Sequence, residues 1–246
     1  MVLLMETVVG VSIILALLLV YYSRVNNIRV SSSSRFHIVF AMLIGLGFIF
    51  LEITFIQRFL LLLGTPIMAL TVILFSILIS TGIGAYSSGR LFHKNPFRAI
   101  MISIPPLAGI VLAYYFFLQG IIESGIVLPL QERIALTFAL LFPTGFLMGF
   151  QFPSITRMAS SAFVRLNQEL HGGEGGGDSG REDITLLWGA NVIASVVGTV
   201  MTAASSMIIG FNGNLLIGFG LYLGAFGSAI AAQKITHKIG RKELAK

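Results

Sequence analysis

The sequence lacks cysteine and carries few charged residues. There is no Cys among its 246 residues, which excludes disulfides, thiolate nucleophiles, iron–sulfur clusters and Cys-ligated zinc. Only 11% of the residues are charged, against roughly 25% in an average soluble domain. Hydrophobic residues make up 56% of the chain, and the mean hydropathy is +0.92. Since this composition cannot supply a water-facing surface, we expect an integral membrane protein with no soluble catalytic domain.

Long apolar runs fill most of the chain. A helix needs about 20 apolar residues to cross the roughly 30 Å of bilayer hydrocarbon. Seven segments meet that length, near residues 2–22, 37–63, 66–86, 98–120, 133–152, 186–211 and 214–233. The first lacks a basic flank and a cleavage site, so we interpret it as a retained span. The sequence predicts an all-α fold, a polytopic transmembrane helix bundle forming one membrane domain over residues 1–246.

The basic residues predict the orientation of this bundle. With seven spans and the N-terminus outside, the three inner loops hold three Lys or Arg each and the C-terminal tail holds five, which makes 14 of the 16 in the chain. Cytoplasmic loops of membrane proteins are enriched in Lys and Arg. We therefore predict an N-out, C-in topology in a cell membrane, either a plasma membrane or a bacterial-type inner membrane.

The same distribution bears on partners and cofactors. The net charge of +6 is spread over four separate segments without interleaved aromatics, so we predict anionic lipid headgroups rather than nucleic acid as its partner. The four His residues all fall at or near the predicted inner side, and none is placed in mid-span as a haem ligand would be. No cofactor and no metal site are predicted.

The longest polar stretch, residues 154–184, joins the fifth and sixth spans. Its first part, residues 155–170, places apolar residues at helical spacing and predicts an amphipathic helix on the inner face. Residues 171–180 are rich in glycine and predict a flexible cytoplasmic linker.

Several polar residues interrupt the apolar runs, and ionisable groups inside a span are candidates for function. Glu52 is the foremost, because it falls inside the second span toward the outer side. Its carboxyl either binds a substrate or a proton, or hydrogen-bonds to another span and locks the bundle. The intramembrane polar candidates are Glu52, Gln57, Arg58, Gln151 and Asn191.

Small residues recur every fourth position in three of the spans. Such rows let helix backbones approach closely within lipid. The helix-packing candidates are Gly145 and Gly149, then Ala190, Ala194 and Gly198, then Gly220 and Gly224. The short connection near Gly210 predicts that the last two spans form a hairpin.

Five motifs between residues 44 and 210 resemble a known family. They are GLGFIFLEITFIQR at 45–58, LGTP at 63–66, STGIG at 80–84, FPTGFLMGFQFP at 142–153, and WGAN at 188–191 followed by ASV at 194–196. In this order they resemble the membrane portion of spermidine synthase-like membrane proteins, in which a polyamine aminopropyltransferase-like domain is joined to several spans. This chain lacks the nucleotide loop and acidic residues of that enzyme domain, so the resemblance implies a membrane bundle without aminopropyl transfer.

Three functions are compatible with these features. The first is a non-catalytic membrane subunit that anchors or assembles with separately encoded protein partners. The second is a transporter or channel for a small solute, such as a cationic or polyamine-like one, with Glu52, Gln57 and Arg58 along its path. The third is a membrane-embedded enzyme, for which no nucleophile motif or His/Asp cluster is present.

Overall fold

The computed structural model describes residues 32–160 and 176–243, and the side chains of residues 36–160 and 184–234. Helix covers 94% of the described residues and they contain no strand, which confirms the all-α prediction. The elements are α1 (Ser32–Leu63), α2 (Pro66–Leu91), α3 (Pro96–Gly125), α4 (Leu130–Gly149) and α5 (Gly176–Glu243). After one turn residue, Phe150, helical structure continues from α4 over residues 151–160.

Five of the described helices are long and apolar enough to cross a membrane. Their length and composition are those of a multi-pass membrane protein. The structure does not support the predicted number of seven spans. The first predicted span, 2–22, lies outside the described residues. The last two, 186–211 and 214–233, fall within the single element α5.

Helix α5 is nevertheless bent back on itself at Gly210. The backbone there has φ 71° and ψ 172°, a conformation that favours glycine and interrupts the helix. We call residues 176–209 the first arm and residues 211–243 the second arm. The side-chain amide of Asn214 donates to the backbone oxygen of Thr202 and accepts from the Ser205 hydroxyl, at 3.2 and 2.7 Å. These bonds tie the two arms together just beyond the bend.

Contacts along α1 give the direction of each arm. Asn191 of the first arm lies near Gly45, and Gly198 lies near Ile49, so this arm runs parallel to α1. In the second arm Gly224 lies near Leu43 and Gly218 near Leu51, which is the opposite direction. The arms therefore form an antiparallel hairpin that clasps α1.

The remaining helices alternate in direction. Helices α2 and α4 run parallel to each other, because Gly145 and Gly149 lie against successive turns of α2. Helix α3 runs parallel to α1, since Tyr114 contacts Phe55 and Gln119 contacts Arg58. We call end A the end of the bundle that carries Gly64 and Gly210, and end B the end that carries the α2–α3 connection, residues 92–95.

Local sequence explains where the first two helices break. Gly64 has φ 84° and its N–H donates to the oxygen of Leu60 at 2.9 Å, the left-handed glycine that commonly ends a helix. Pro66 then occupies the first turn of α2, where its missing N–H costs nothing. Pro96 begins α3 in the same way.

Helix α1 is the centre of the bundle. It supplies half of the largest fully buried side chains in the described part of the chain, among them Phe40, Phe50, Phe55 and Phe59. The outer faces of the other helices expose large apolar side chains, such as Phe75, Phe116 and Ile208. An apolar exterior around a packed interior is what a bilayer requires of a helix bundle.

The stretch 154–184 differs in part from its prediction. Residues 154–160 continue the helical extension of α4, and Ile155 is fully buried in the bundle core rather than lying on a membrane surface. Residues 161–175 lie outside the described residues. Helix α5 begins at Gly176, so the second half of the glycine-rich segment is helical where a linker was predicted.

Candidate functional site

A cavity of about 550 Å³ lies inside the helix bundle. Helix α1 forms its back wall, α2 and the region around the α4 turn form one side, and the two arms of α5 form the other. Neither α2 nor α4 packs extensively against α5 in the described part of the chain, which leaves this space between them. Its size falls in the range of small-molecule sites, about 300–1,000 Å³.

Two of the predicted polar residues, Gln151 and Asn191, line this cavity from opposite sides. Gln151 is 1% exposed, and its Nε2 is buried without any hydrogen-bond partner. Asn191 donates from Nδ2 to the oxygen of Ala41 at 2.9 Å, which fixes the amide and leaves Oδ1 available as an acceptor. An unpaired buried amide is costly, so Gln151 is the polar group of the cavity that most needs a partner.

Two lining hydroxyls, those of Thr81 and Ser195, are satisfied within their own helices. The Thr81 hydroxyl donates to the oxygen of Ile77 at 2.7 Å, and the Ser195 hydroxyl donates to the oxygen of Asn191 at 2.9 Å. The lining residues include no Asp, Glu, Lys, Arg or His. The hydrogen-bonding groups of the lining that stay free are neutral: the Gln151 amide, the Asn191 acceptor and Tyr222, whose hydroxyl makes no hydrogen bond with a described residue.

The cavity is polar toward end B and apolar toward end A. Gln151 and Asn191 lie on the end B side, whereas Phe48, Ile49 and Leu78 extend the lining toward the middle of the bundle. On the end B side, the rings of Phe152 and Trp188 meet edge to face with centroids 4.8 Å apart. This contact bridges the α4 extension and the first arm.

The side of the cavity between α2 and the first arm faces outward. Leu78 and Gly82 of α2 line the cavity and are exposed, with Leu78 at 69%. A Cβ atom built on Gly82 would meet nothing within 4 Å. We call the gap between these two residues and the first arm the lateral mouth.

Glu52 and Gln57 do not line this cavity. Glu52 lies one helical turn beyond Ile49 on the same face of α1, so it sits about 4.5 Å farther toward end A. It is half-buried and makes no hydrogen bond or ion pair with any described residue. Gln57 is exposed on the opposite side of α1 from the cavity wall.

Arg58 is held in a polar cluster at end A. One guanidinium nitrogen donates to Oε1 of Gln119 at 2.7 Å and another to Oδ1 of Asn212, next to the α5 bend. Gln119 in turn donates to Glu123 at 2.7 Å. The cluster joins α1, α3 and the hairpin, and it leaves Arg58 distant from Glu52 along the helix, as their six-residue spacing predicts.

The predicted packing residues occupy different kinds of position. Cβ atoms at Gly145 and Gly149 would collide with Ser80 and with the backbone oxygen of Thr81, so α4 approaches α2 closely there. Ala190 and Ala194 are buried, and Gly198 lies against Leu46 and Ile49 of α1. Gly224 lies against Leu43, whereas a Cβ at Gly220 would meet open space.

Sequence patterns gave no sign of a second polar cluster, at end B. The Arg157 guanidinium donates to the backbone oxygen and hydroxyl of Ser88 and to the Ser154 hydroxyl, at 3.3, 2.8 and 3.3 Å. Ser88 and Ser154 are fully buried and 3.0 Å apart. The signal that could have found them is an arginine one turn beyond a buried serine at the end of an apolar run.

Among the residues that the structure describes, no three His, Cys, Asp or Glu side chains group to hold a metal ion. The described residues thus form a cavity with an unpaired amide, a carboxyl nearby that has no partner among them, and two arginine clusters that join helices. No protein-family model matches this chain, and no curated protein or solved structure was found to be similar to it.

Proposed function

We propose that this chain is a non-catalytic membrane subunit that assembles with a separately encoded membrane polypeptide. The observation that carries the proposal is Glu52, a carboxyl inside α1 that has no partner among the described residues. Ionisable residues in spans normally face a partner or a water-filled cavity. In this bundle the nearest arginine on the same helix, Arg58, is already bound to Gln119 and Asn212.

The position of Glu52 makes a missing partner expensive. The span Phe36–Leu63 places it about 24 Å from one end and about 16 Å from the other, at 1.5 Å per residue. An unpaired carboxylate at that depth costs about 2.5–3.5 kcal/mol. A polar or basic group from a second polypeptide offsets this cost, which gives the carboxyl a role in assembly.

The α5 hairpin offers the apolar surface that such an assembly needs. In its most apolar stretch 17% of the residues are buried within the chain, against 33–50% in the other four candidate spans. Its exposed side chains include Val192, Met201 and Met207. Methionine adapts to irregular surfaces and is common where partners bind.

Co-purification of the full-length protein in a mild detergent tests the proposal. We expect a stoichiometric second polypeptide with the wild type, loss of it with Glu52→Leu, and retention with Glu52→Gln if the contact is a hydrogen bond. Gln57→Leu is the matched control, since Gln57 is an exposed polar residue of the same helix. Migration of the wild type as a lone protomer, with no associated polypeptide, refutes the proposal.

We also propose the N-out, C-in orientation in a cell membrane, with seven spans. Segment 2–22 supplies the first span, and the two arms of α5 count separately. Among the side chains that the structure describes, those of residues 36–160 and 184–234, end B carries the cations Arg90, Lys94, Arg98, Arg157 and Lys234 and no acidic group. End A carries Glu123 and Glu132 beside its arginines. The positive-inside rule then supports end B as the cytoplasmic side.

Membership of the spermidine synthase-like membrane proteins stays a proposal that rests on the motifs alone. It is compatible with the subunit role if a separately encoded soluble nucleotide-binding protein binds the bundle in addition to the membrane polypeptide that Glu52 contacts. A soluble enzyme recovered in the co-purification would support it. A purely membrane-embedded partner would favour an accessory subunit of a larger membrane assembly.

A further inference from the structure

We propose that the cavity between α1, α2 and α5 binds a neutral amphipathic lipid, a molecule with one uncharged hydrogen-bonding head group and an apolar chain. The proposal does not rest on the subunit role, since neither Glu52 nor the exposed hairpin residues Val192, Met201 and Met207 line the cavity. It is carried by Gln151, which is 1% exposed, lines the cavity and has an Nε2 without a partner.

The lining chemistry selects a neutral head group. Gln151 offers amide donors and Asn191 offers a free carbonyl acceptor, so together they match a hydroxyl or an amide, each of which both donates and accepts. The lining contains no charged side chain. A charged head group bound at Gln151 would lose its hydration without a counter-charge in the lining, since Glu52 lies beyond the apolar end of the cavity, and this disfavours it strongly.

The order of groups along the cavity matches the order of groups in a lipid. The amides lie toward end B, where the exposed Trp188 ring is typical of a membrane interface. The wall formed by Phe48, Ile49 and Leu78 lies deeper in the bundle. A head group bound at Gln151 therefore places its chain against apolar side chains, in the direction that the chain takes in the surrounding bilayer.

The lateral mouth supplies the entry route. Leu78 and Gly82 are both cavity-lining and exposed, so the cavity communicates with the outer surface of α2, which faces lipid. No described residue fills the space above Gly82 within 4 Å of a built Cβ. A side chain at position 82 can thus narrow the mouth without displacing any part of the bundle.

Photolabelling of the purified full-length protein in phosphatidylcholine nanodiscs tests this inference. The probe is a monoacylglycerol whose acyl chain carries a diazirine and an alkyne, and the comparison probes are an alkyl sulfate and a quaternary alkylammonium with the same chain. We expect the neutral probe to label peptides of the cavity wall at least about fivefold more than either charged probe, the equivalent of one hydrogen bond.

Two variants and one control complete the experiment. Gly82→Leu should reduce the labelling by about fivefold by filling the mouth, and Gln151→Leu should remove the preference for the neutral probe. Gly109→Leu is the matched control, because Gly109 is an exposed glycine of α3 with nothing within 4 Å of a built Cβ, and it does not line the cavity. Equal labelling by all three probes, or labelling unchanged by Gly82→Leu, overturns the proposal.

Discussion

Gln151→Met should stabilise the ligand-free protein, which is an unusual expectation for a fully buried position. The Gln151 side chain is 1% exposed and its Nε2 has no hydrogen-bond partner. A buried donor left unpaired costs about 1–3 kcal/mol. Methionine has a similar length and no donor, and it would extend the apolar wall that Met148 and Phe152 already form. We expect the free energy of unfolding to rise by about 1–2 kcal/mol.

The assay is thermal unfolding of the purified protein in phosphatidylcholine nanodiscs, with and without monoacylglycerol. A gain of this size raises the midpoint by about 2–8 °C for a chain of this length. Monoacylglycerol should raise the midpoint of the wild type more than that of Gln151→Met, because a ligand stabilises the folded state that binds it. The two proteins should therefore differ most when the ligand is absent.

Asn191→Leu should change the stability in the opposite direction. The Asn191 amide already donates to the oxygen of Ala41 at 2.9 Å, so its removal loses a formed bond and should lower the stability by about 1 kcal/mol. If Gln151→Met lowers the midpoint as Asn191→Leu does, the Gln151 amide is satisfied in the native protein. The reasoning that makes it a ligand contact is then refuted.

Two further predictions concern packing and orientation. Gly45→Ala should destabilise the protein by about 1–3 kcal/mol, because the new Cβ would lie 2.6 Å from the backbone oxygen of Asn191. Gly109→Ala is the control and should not destabilise it, because a Cβ there would meet nothing within 4 Å. Denaturant unfolding of the two variants measures the difference. Since the chain has no native Cys, a single Cys in place of Val127 should react with a membrane-impermeant maleimide in intact cells, and one in place of Lys94 only after permeabilisation. The reverse pattern would invert the proposed topology.

The helices could be predicted from the sequence because an apolar run of sufficient length has few alternatives in a bilayer. Helix α2 begins at Pro66 as predicted, but it ends at Leu91 rather than near residue 86. Polar residues after Tyr86 shorten the apolar run without ending the helix. The prediction of separate sixth and seventh spans differs from the single element α5, yet the bend at Gly210 lies where the connection was predicted.

The cavity could not be predicted from the sequence, although two of its residues were. Gln151 and Asn191 were selected because they are polar residues within apolar runs, but nothing in the runs shows that they line the same cavity. Hydropathy gives the length of a span and leaves its rotation and its neighbours undetermined, because these depend on packing against other helices. That Gln151 and Asn191 line one cavity depends on α1 separating α2 from the first arm, which is a tertiary feature.

The clasp of the hairpin around α1 has a consequence for how the protein is made. Asn191 bonds to Ala41 across a sequence separation of 150 residues, and the second arm reaches α1 from still farther along the chain. At about 5–20 residues per second, a ribosome needs roughly 8–30 s to synthesise the intervening length. During that interval the side of α1 that carries Gly45 and Gly47 lies in the translocon or in lipid, without the α5 residues that later pack against it. The nascent bundle is thus a candidate client for membrane chaperones, because the arms that complete the packing of α1 are made only after α2, α3 and α4.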